Sequence, residues 1–128
     1  MMFKRKAGSK YSAVKTVVDG HTFDSKVEAK RYEFLKEEQR LGRIKELELQ
    51  PRFVLMDGFK RKGKTHRKTE YVSDFKYLKG SDVVIEDTKG LLTDVYKLKI
   101  KLFLSQLSND IVFKEVYWKD KQWVEVDR

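Results

Sequence analysis

The feature that most constrains this chain is a pair of alternating stretches whose apolar faces are interrupted by charge, within residues 69–90, TEYVSDFKYLKGSDVVIEDTKG. β-Branched and aromatic residues alternate with polar ones on both sides of Lys79-Gly80-Ser81-Asp82, which predicts two extended segments joined by a turn. Successive strand side chains point to opposite faces. Val83, Ile85, Asp87 and Lys89 therefore share one side of the second segment, and Val84, Glu86 and Thr88 the other. In the first segment Asp74 shares its side with Val72 and Leu78, so a second carboxylate interrupts a face otherwise suited to a core. Burying such charges is costly unless they are paired or hold a metal.

The same spacing has a chemical use. Two carboxylates on neighbouring strands can hold Mg²⁺, which prefers hard oxygen ligands in near-octahedral geometry at about 2.0–2.1 Å. Lys89, two residues past Asp87, points to the same place, where it would orient or help deprotonate an attacking water or neutralise charge building on a phosphate. A cross-strand ion pair at a sheet edge accounts for the same three residues. Asp74, then Asp87-Thr88-Lys89, resembles the PD-(D/E)XK signature of the restriction-endonuclease-like nucleases, with Ser73 standing where the signature has Pro.

A chain of 128 residues suits one domain with a real core. Its 29 Lys and Arg against 20 Asp and Glu, a net charge of +9, favour a polyanionic partner such as nucleic acid, with an anionic membrane surface as the competitor. No apolar run approaches the ~20 residues of a membrane span, and the basic start MMFKRKAGSK lacks the apolar segment of a signal peptide, so a cytoplasmic protein with no membrane partner is expected. The absence of cysteine excludes disulfides and thiolate metal sites, and two isolated histidines, His21 and His66, are too few for zinc. Any metal would be held by oxygen.

Residues 1–13 form a basic arm carrying Lys4, Arg5, Lys6 and Lys10, either a solvated tail or a segment that contacts phosphates, and residues 14–128 form the folded domain. Residues 14–23 read as a hairpin turning at Asp19-Gly20, a type I′ pair. Residues 25–41 read as a helix with an apolar stripe of Val27, Phe34, Leu35 and Leu41, closed by Gly42. Ser25-Lys26-Val27-Glu28 fits a capping box, yet Glu28 also lies near the inward edge of the helix and can reach a site in the core.

The run Gly20-His21-Thr22-Phe23-Asp24-Ser25-Lys26-Val27-Glu28-Ala29, with Arg31-Tyr32 and Leu35 following, is the first of several ordered motifs. Gln50-Pro51-x-Phe53, Tyr71-x-x-Asp74-Phe75, Glu86-Asp87-x-Lys89-Gly90 and Thr93-x-x-Tyr96-x-x-Lys99 are the others. Together, from about Lys10 to Lys101, they resemble a family of small phage and prophage proteins placed among the PD-(D/E)XK nucleases. The resemblance implies an α/β restriction-endonuclease-like domain with a mixed central sheet flanked by helices. It also implies Mg²⁺-dependent hydrolysis of DNA phosphodiesters, with Mn²⁺ as a substitute, in the cytoplasm of a bacterial host. Glu28, Asp74 and Asp87 would be the metal carboxylates, and Lys89 would activate water. By analogy alone the substrate would be branched DNA, such as a recombination junction, and symmetrical cutting would ask for a homodimer. A restriction-type or end-trimming nuclease, and a non-catalytic DNA-binding protein in which Asp87 and Lys89 merely pair, are the alternatives.

Residues 44–57 read as strands interrupted at Gln50-Pro51, with Phe53 and Leu55 facing the core. Residues 60–68 read as a basic loop, with Lys60, Arg61, Lys62, Lys64, Arg67 and Lys68 around Gly63, either phosphate-contacting or merely solvated. Thr93 caps a helix reaching about Leu107, whose rows Val95, Leu98, Leu102 and Tyr96, Ile100, Phe103, Leu107 give a broad apolar face. On it Lys97 and Lys101 stack one turn apart as a candidate phosphate ridge, which Lys99 of the family-like motif joins. A strand over residues 111–117 makes residues 83–117 a right-handed parallel crossover. Trp118 and Trp123, with a last strand over residues 122–126, are expected to pack over a sheet edge rather than to stack bases.

Overall fold

In the computed structural model, which describes residues 14–89 and 92–128, the chain opens with a hairpin of β1 (Thr16–Val18) and β2 (His21–Phe23). Its turn residues Asp19 (φ 53°) and Gly20 (φ 79°) are both left-handed, as a type I′ turn requires. Helix α1 (Lys26–Arg40) follows; Ser25 caps it by accepting the Glu28 N–H on Oγ at 3.1 Å. Then come β3 (Lys45–Leu49) and β4 (Arg52–Met56), broken at Gln50-Pro51 as predicted, and β5 (Phe59–Arg61), β6 (Lys64–His66) and β7 (Thr69–Val72). β8 (Phe75–Lys79) and β9 (Asp82–Thr88) are joined through the predicted turn, and α2 (Asp94–Gln106), capped by Thr93, precedes β10 (Val112–Lys119) and β11 (Gln122–Asp127).

Five strands form the central sheet in the order β11-β10-β9-β8-β3, parallel between β9 and β10 and antiparallel elsewhere. The fold is therefore α/β with a mixed sheet, and α2 lies between its two parallel strands, as a crossover demands. Smaller two-stranded sheets pair β1 with β2, β4 with β7, and β5 with β6. Both faces of β9 are covered. Val84 packs with Phe75, Tyr77 and the α1 residues Ala29, Tyr32 and Leu35; Ile85 packs with Tyr71, Phe113 and the α2 residues Ile100 and Phe103. Each such large apolar side chain contributes roughly 1.5–3 kcal/mol on burial. This double covering explains why β9 reads as a nearly continuous apolar run that ends in acid.

Three expectations are corrected, besides the α2 row Val95, Leu98 and Leu102, which is exposed while Ile100 and Phe103 of the other row are buried. The inward face of α1 is Glu28, Ala29, Arg31, Tyr32 and Leu35, while Phe34 and Leu41 are largely exposed. Two charges thus sit on the face that propensity assigns to apolar groups. Arg31, 1% exposed, donates to Glu86 from Nε at 2.6 Å and Nη2 at 2.9 Å, and Nη2 also reaches Glu125 at 3.0 Å. Tyr77 donates to Glu86 at 2.6 Å, and Lys114 to Glu125 at 2.6 Å, so a buried polar network pins α1 across β9, β10 and β11. Second, the buried residues of the first alternating segment are Tyr71, Ser73, Phe75 and Tyr77, whereas Val72 is exposed and Asp74 and Leu78 are half-buried. Third, residues 60–68 are not a loop. Lys62 (φ 50°) and Gly63 (φ 77°) make a tight turn between β5 and β6, hidden in the sequence because Lys, unlike Asn or Asp, gives no sign of left-handed backbone. Trp118 and Trp123 pack edge to face at 4.8 Å over the edge strand, with Lys30 4.2 Å above the Trp118 ring.

Candidate metal centre

The site begins as a backbone bend shared by two antiparallel segments. Gln50 (φ 51°), held before Pro51, donates its N–H to Asp74 O at 2.9 Å, and Ser73 donates to Pro51 O at 3.1 Å. β3 and β8 thereby leave the central sheet at one level and continue as the β4–β7 pair. Ser73 supplies the N–H that closes this bend, which a proline at that position would lack.

The bend sets the Asp74 carboxylate against the end of β9. Its Oδ2 accepts from Thr88 N at 2.8 Å and from Thr88 Oγ1 at 2.6 Å. Asp87 answers from the neighbouring strand: Oδ1 accepts the Asp74 N–H at 3.1 Å, and Oδ2 accepts the Tyr71 hydroxyl in a short hydrogen bond. Lys89 Nζ lies 3.5 Å from Asp87 Oδ2 and 3.8 Å from the centre of the Tyr96 ring, which holds the ammonium beside the carboxylate. Asp74, Asp87 and Lys89 are brought together as expected. The alternative ion pair of Asp87 with Lys89 is also present.

Glu28, buried in the first turn of α1, is near enough to feel the charge of Asp74. Only half of its capping box forms: Ser25 accepts the Glu28 N–H, but among the described residues no bond returns from the Ser25 N–H to the Glu28 carboxylate. That carboxylate is nonetheless buried, at 7% exposure. Burial, then Asp74, then Asp24 push its proton affinity up to about 8, with Lys89 and the Asp24 main-chain N–H pulling the other way. Burial, then Asp74, likewise push Asp87 up to about 8, against Lys89 and the Tyr71 hydroxyl. Asp74 is the common neighbour of both.

Among the described residues, no three His, Asp or Glu side chains converge closely enough to form one ligand set. Asp74 instead pairs closely with Asp87 and reaches Glu28 through its charge. Such pairs suit Mg²⁺, which is commonly bound through one or two carboxylates, with waters and substrate phosphate completing its shell. The raised proton affinities also fit a cation site, since crowded carboxylates are relieved by positive charge.

Several site residues carried no clear signal of their own. Tyr71 and Tyr96 lie in the family-like motifs but read simply as core aromatics, and Thr88 as a spacer. Glu115, 4% exposed, is opposite Asp87 in the parallel register, yet its oxygens are engaged by Tyr96 at 2.7 Å and Arg128 at 2.8 Å. It is a brace for Tyr96 rather than an available ligand.

Of the expected DNA-contacting residues, Lys60, Arg61, Lys62, Lys64, Arg67 and Lys68 are exposed on or just after the β5–β6 hairpin, with Lys68 3.5 Å from Glu70. Lys97 and Lys101 are exposed on α2, while Lys99, on another side of the helix, is half-buried. Lys4, Arg5, Lys6 and Lys10 lie outside the described residues, as does Gly90. No helix among the described residues is long and apolar enough to cross a membrane.

Residues 8–124 match the profile of a family described as a protein of unknown function, DUF1064. No curated protein and no solved structure matches the chain.

Proposed function

We propose that this chain, which belongs to the DUF1064 family, is a divalent-metal-dependent deoxyribonuclease. The observation that supports this most is the close pairing of the half-buried Asp74 with the buried Asp87, with Lys89 beside Asp87 and the buried Glu28 within reach of Asp74's charge, in a chain of net charge +9. Asp74 and Asp87 would hold Mg²⁺ or Mn²⁺, with Glu28 contributing from beside Asp74. When bound, the ion supplies Lewis-acid polarisation of the phosphodiester and neutralises its charge. The chain's own groups do the rest. Thr88 and Tyr71 fix the rotamers of Asp74 and Asp87, so that two repelling carboxylates are already oriented before a ligand arrives. Lys89 places a positive charge where the attacking water must be oriented and where the phosphate gains charge. The basic hairpin and the exposed lysines of α2 would hold the backbone. With no evident base-reading module among the described residues, the protein would recognise DNA shape in the cytoplasm, preferably branched DNA cut by a homodimer.

The direct test is incubation of end-labelled linear, nicked, flapped and four-way DNA with wild type and Glu28→Gln, with Mg²⁺ or with chelator. Cleavage by wild type only with the cation, and its loss in Glu28→Gln while the melting temperature is kept, is the expected result. Gln retains the main-chain N–H that Ser25 accepts but is a much poorer cation ligand. Binding without cleavage under every condition would favour the non-catalytic reading, to which the Asp87–Lys89 ion pair already lends itself.

The hairpin cations are tested by salt. Each phosphate contact contributes about −0.9 to the slope of log K against log salt, so neutralising Lys60, Arg61, Lys62 and Lys64 together should flatten that slope by up to about 3.6 on duplex DNA. Titrations across a salt series measure it; an unchanged slope would return these residues to solvent.

A further inference from the structure

The β5–β6 hairpin carries more than charge. Its register pairs Phe59 with His66, Lys60 with Thr65, and Arg61 with Lys64. Directly paired residues share a face, and so do residues two apart, so Phe59, His66, Arg61 and Lys64 lie on one face and Lys60 on the other. On that face the Phe59 and His66 rings are stacked, with centroids 4.6 Å apart and planes 9° from parallel. Phe59 remains 46% exposed. An aromatic pair this exposed does not serve the core, and β5 and β6 make their principal contacts with each other.

The chemistry around the rings says what they would meet. Residues 58–68 contain six Lys or Arg and no Asp or Glu. Among the described residues Lys60, Arg61, Lys62 and Lys64 enter no ion pair, so their charge is available to an outside anion. A flat apolar ring flanked by unneutralised cations on one ribbon face suits a base with its phosphates, because every base has a π-face and every nucleotide a negative charge. In a continuous duplex base faces are hidden by stacking. They become available only where a strand is unpaired. The ribbon is also closed at its root, since the Cα hydrogen side of Gly58 faces His66 O and Lys68 N so closely that a Cβ would stand 3.0 Å and 3.1 Å from them.

We propose that the Phe59–His66 face of this hairpin is a stacking platform for an unpaired base, held there by Arg61 and Lys64, so that the hairpin directs the protein to DNA with single-stranded discontinuities. The inference rests on the DNA reading above but not on catalysis, and it is tested without cleavage. Anisotropy titrations in chelator would compare a fluorescent oligothymidylate, a continuous duplex and the same duplex with a single-stranded gap. The proteins are wild type, Phe59→Ala, Phe59→Leu and Phe59→Tyr. Loss of one stacked base corresponds to about 5- to 150-fold in affinity. Phe59→Ala and Phe59→Leu should therefore weaken oligothymidylate and gapped DNA by about that range while leaving the continuous duplex within about twofold. Phe59→Tyr should bind like wild type. Leu keeps an apolar strand residue but has no flat ring, so retention by Phe59→Leu, or equal weakening on all three DNAs, overturns the platform. Wild type that binds none of the three DNAs overturns the nuclease reading as well. Wild type that cleaves DNA while the Phe59 variants bind all three alike overturns the platform alone.

Discussion

Glu86→Ala is expected to destabilise the protein by about 3–5 kcal/mol, the cost of leaving a buried charge without its partner. Arg31 has no route to water at 1% exposure, and its Nη1 is already without a hydrogen-bond partner. Glu86, 0% exposed, supplies both acceptors of a bidentate pair and also receives the Tyr77 hydroxyl. Removing it leaves Arg31 with Glu125 alone at 3.0 Å, and strands the Tyr77 hydroxyl in the core. The Phe34 and Trp123 rings, 4.8 Å and 5.0 Å from the guanidinium, flank the charge but accept no proton. For a domain of this size the loss should lower the melting temperature by more than about 10 °C. Replacing both partners, Arg31→Met with Glu86→Leu, should cost far less, because two desolvated charges vanish together. Thermal melts of the single and double variants check this. A single variant that melts like one lacking Asp24, the exposed partner of Lys15, would show that the network does not hold α1. The consequence for the site is positional, since Arg31 stands one turn from Glu28 on the same helix.

Asp87→Asn is expected to do two opposite things. With Mg²⁺ it should lower DNA cleavage by about 10³-fold or more, since a ligand contributing several kcal/mol to charge stabilisation is removed. Without metal it should raise stability at alkaline pH. In the folded protein the Asp87 carboxyl is raised from 3.8 to about 8, by burial first and by Asp74 second. A raised affinity means stability that is fully present below about 3.8 and is lost as pH rises through about 8. Glu28, raised from 4.5 to about 8, has the same sign, so metal-free wild type should melt at progressively lower temperature across that window. The Asn variant keeps an acceptor for the Asp74 N–H and loses the repulsion, so its decline should be shallower and its melting temperature higher than wild type near pH 9. Melts across the pH range in chelator, set beside cleavage rates in Mg²⁺, separate the two effects. An Asn variant less stable than wild type throughout would mean that Asp87 is a structural ion pair with Lys89.

What the sequence determined by itself is what neighbouring residues decide among themselves. Asp19-Gly20 specifies its turn through left-handed backbone, Ser25 and Thr93 cap their helices, Pro51 breaks its strand for want of an N–H, and the pattern from β8 through β10 imposes the parallel crossover. Asp74, Asp87 and Lys89 were legible as a group because strand alternation and one turn relate them. Tertiary structure decided the rest. Arg31 is inward because Glu86 and Glu125, 55 and 94 residues away, neutralise it there, and no local periodicity contains those partners. Asp74 meets Thr88 because the β3–β4 and β7–β8 breaks bond to each other across a bend at its own position, a contact between segments that local alternation does not contain. Glu28 is subject to charges of the same distant kind, since Asp74 and Lys89 act on its buried carboxylate and no local pattern at the start of α1 contains them.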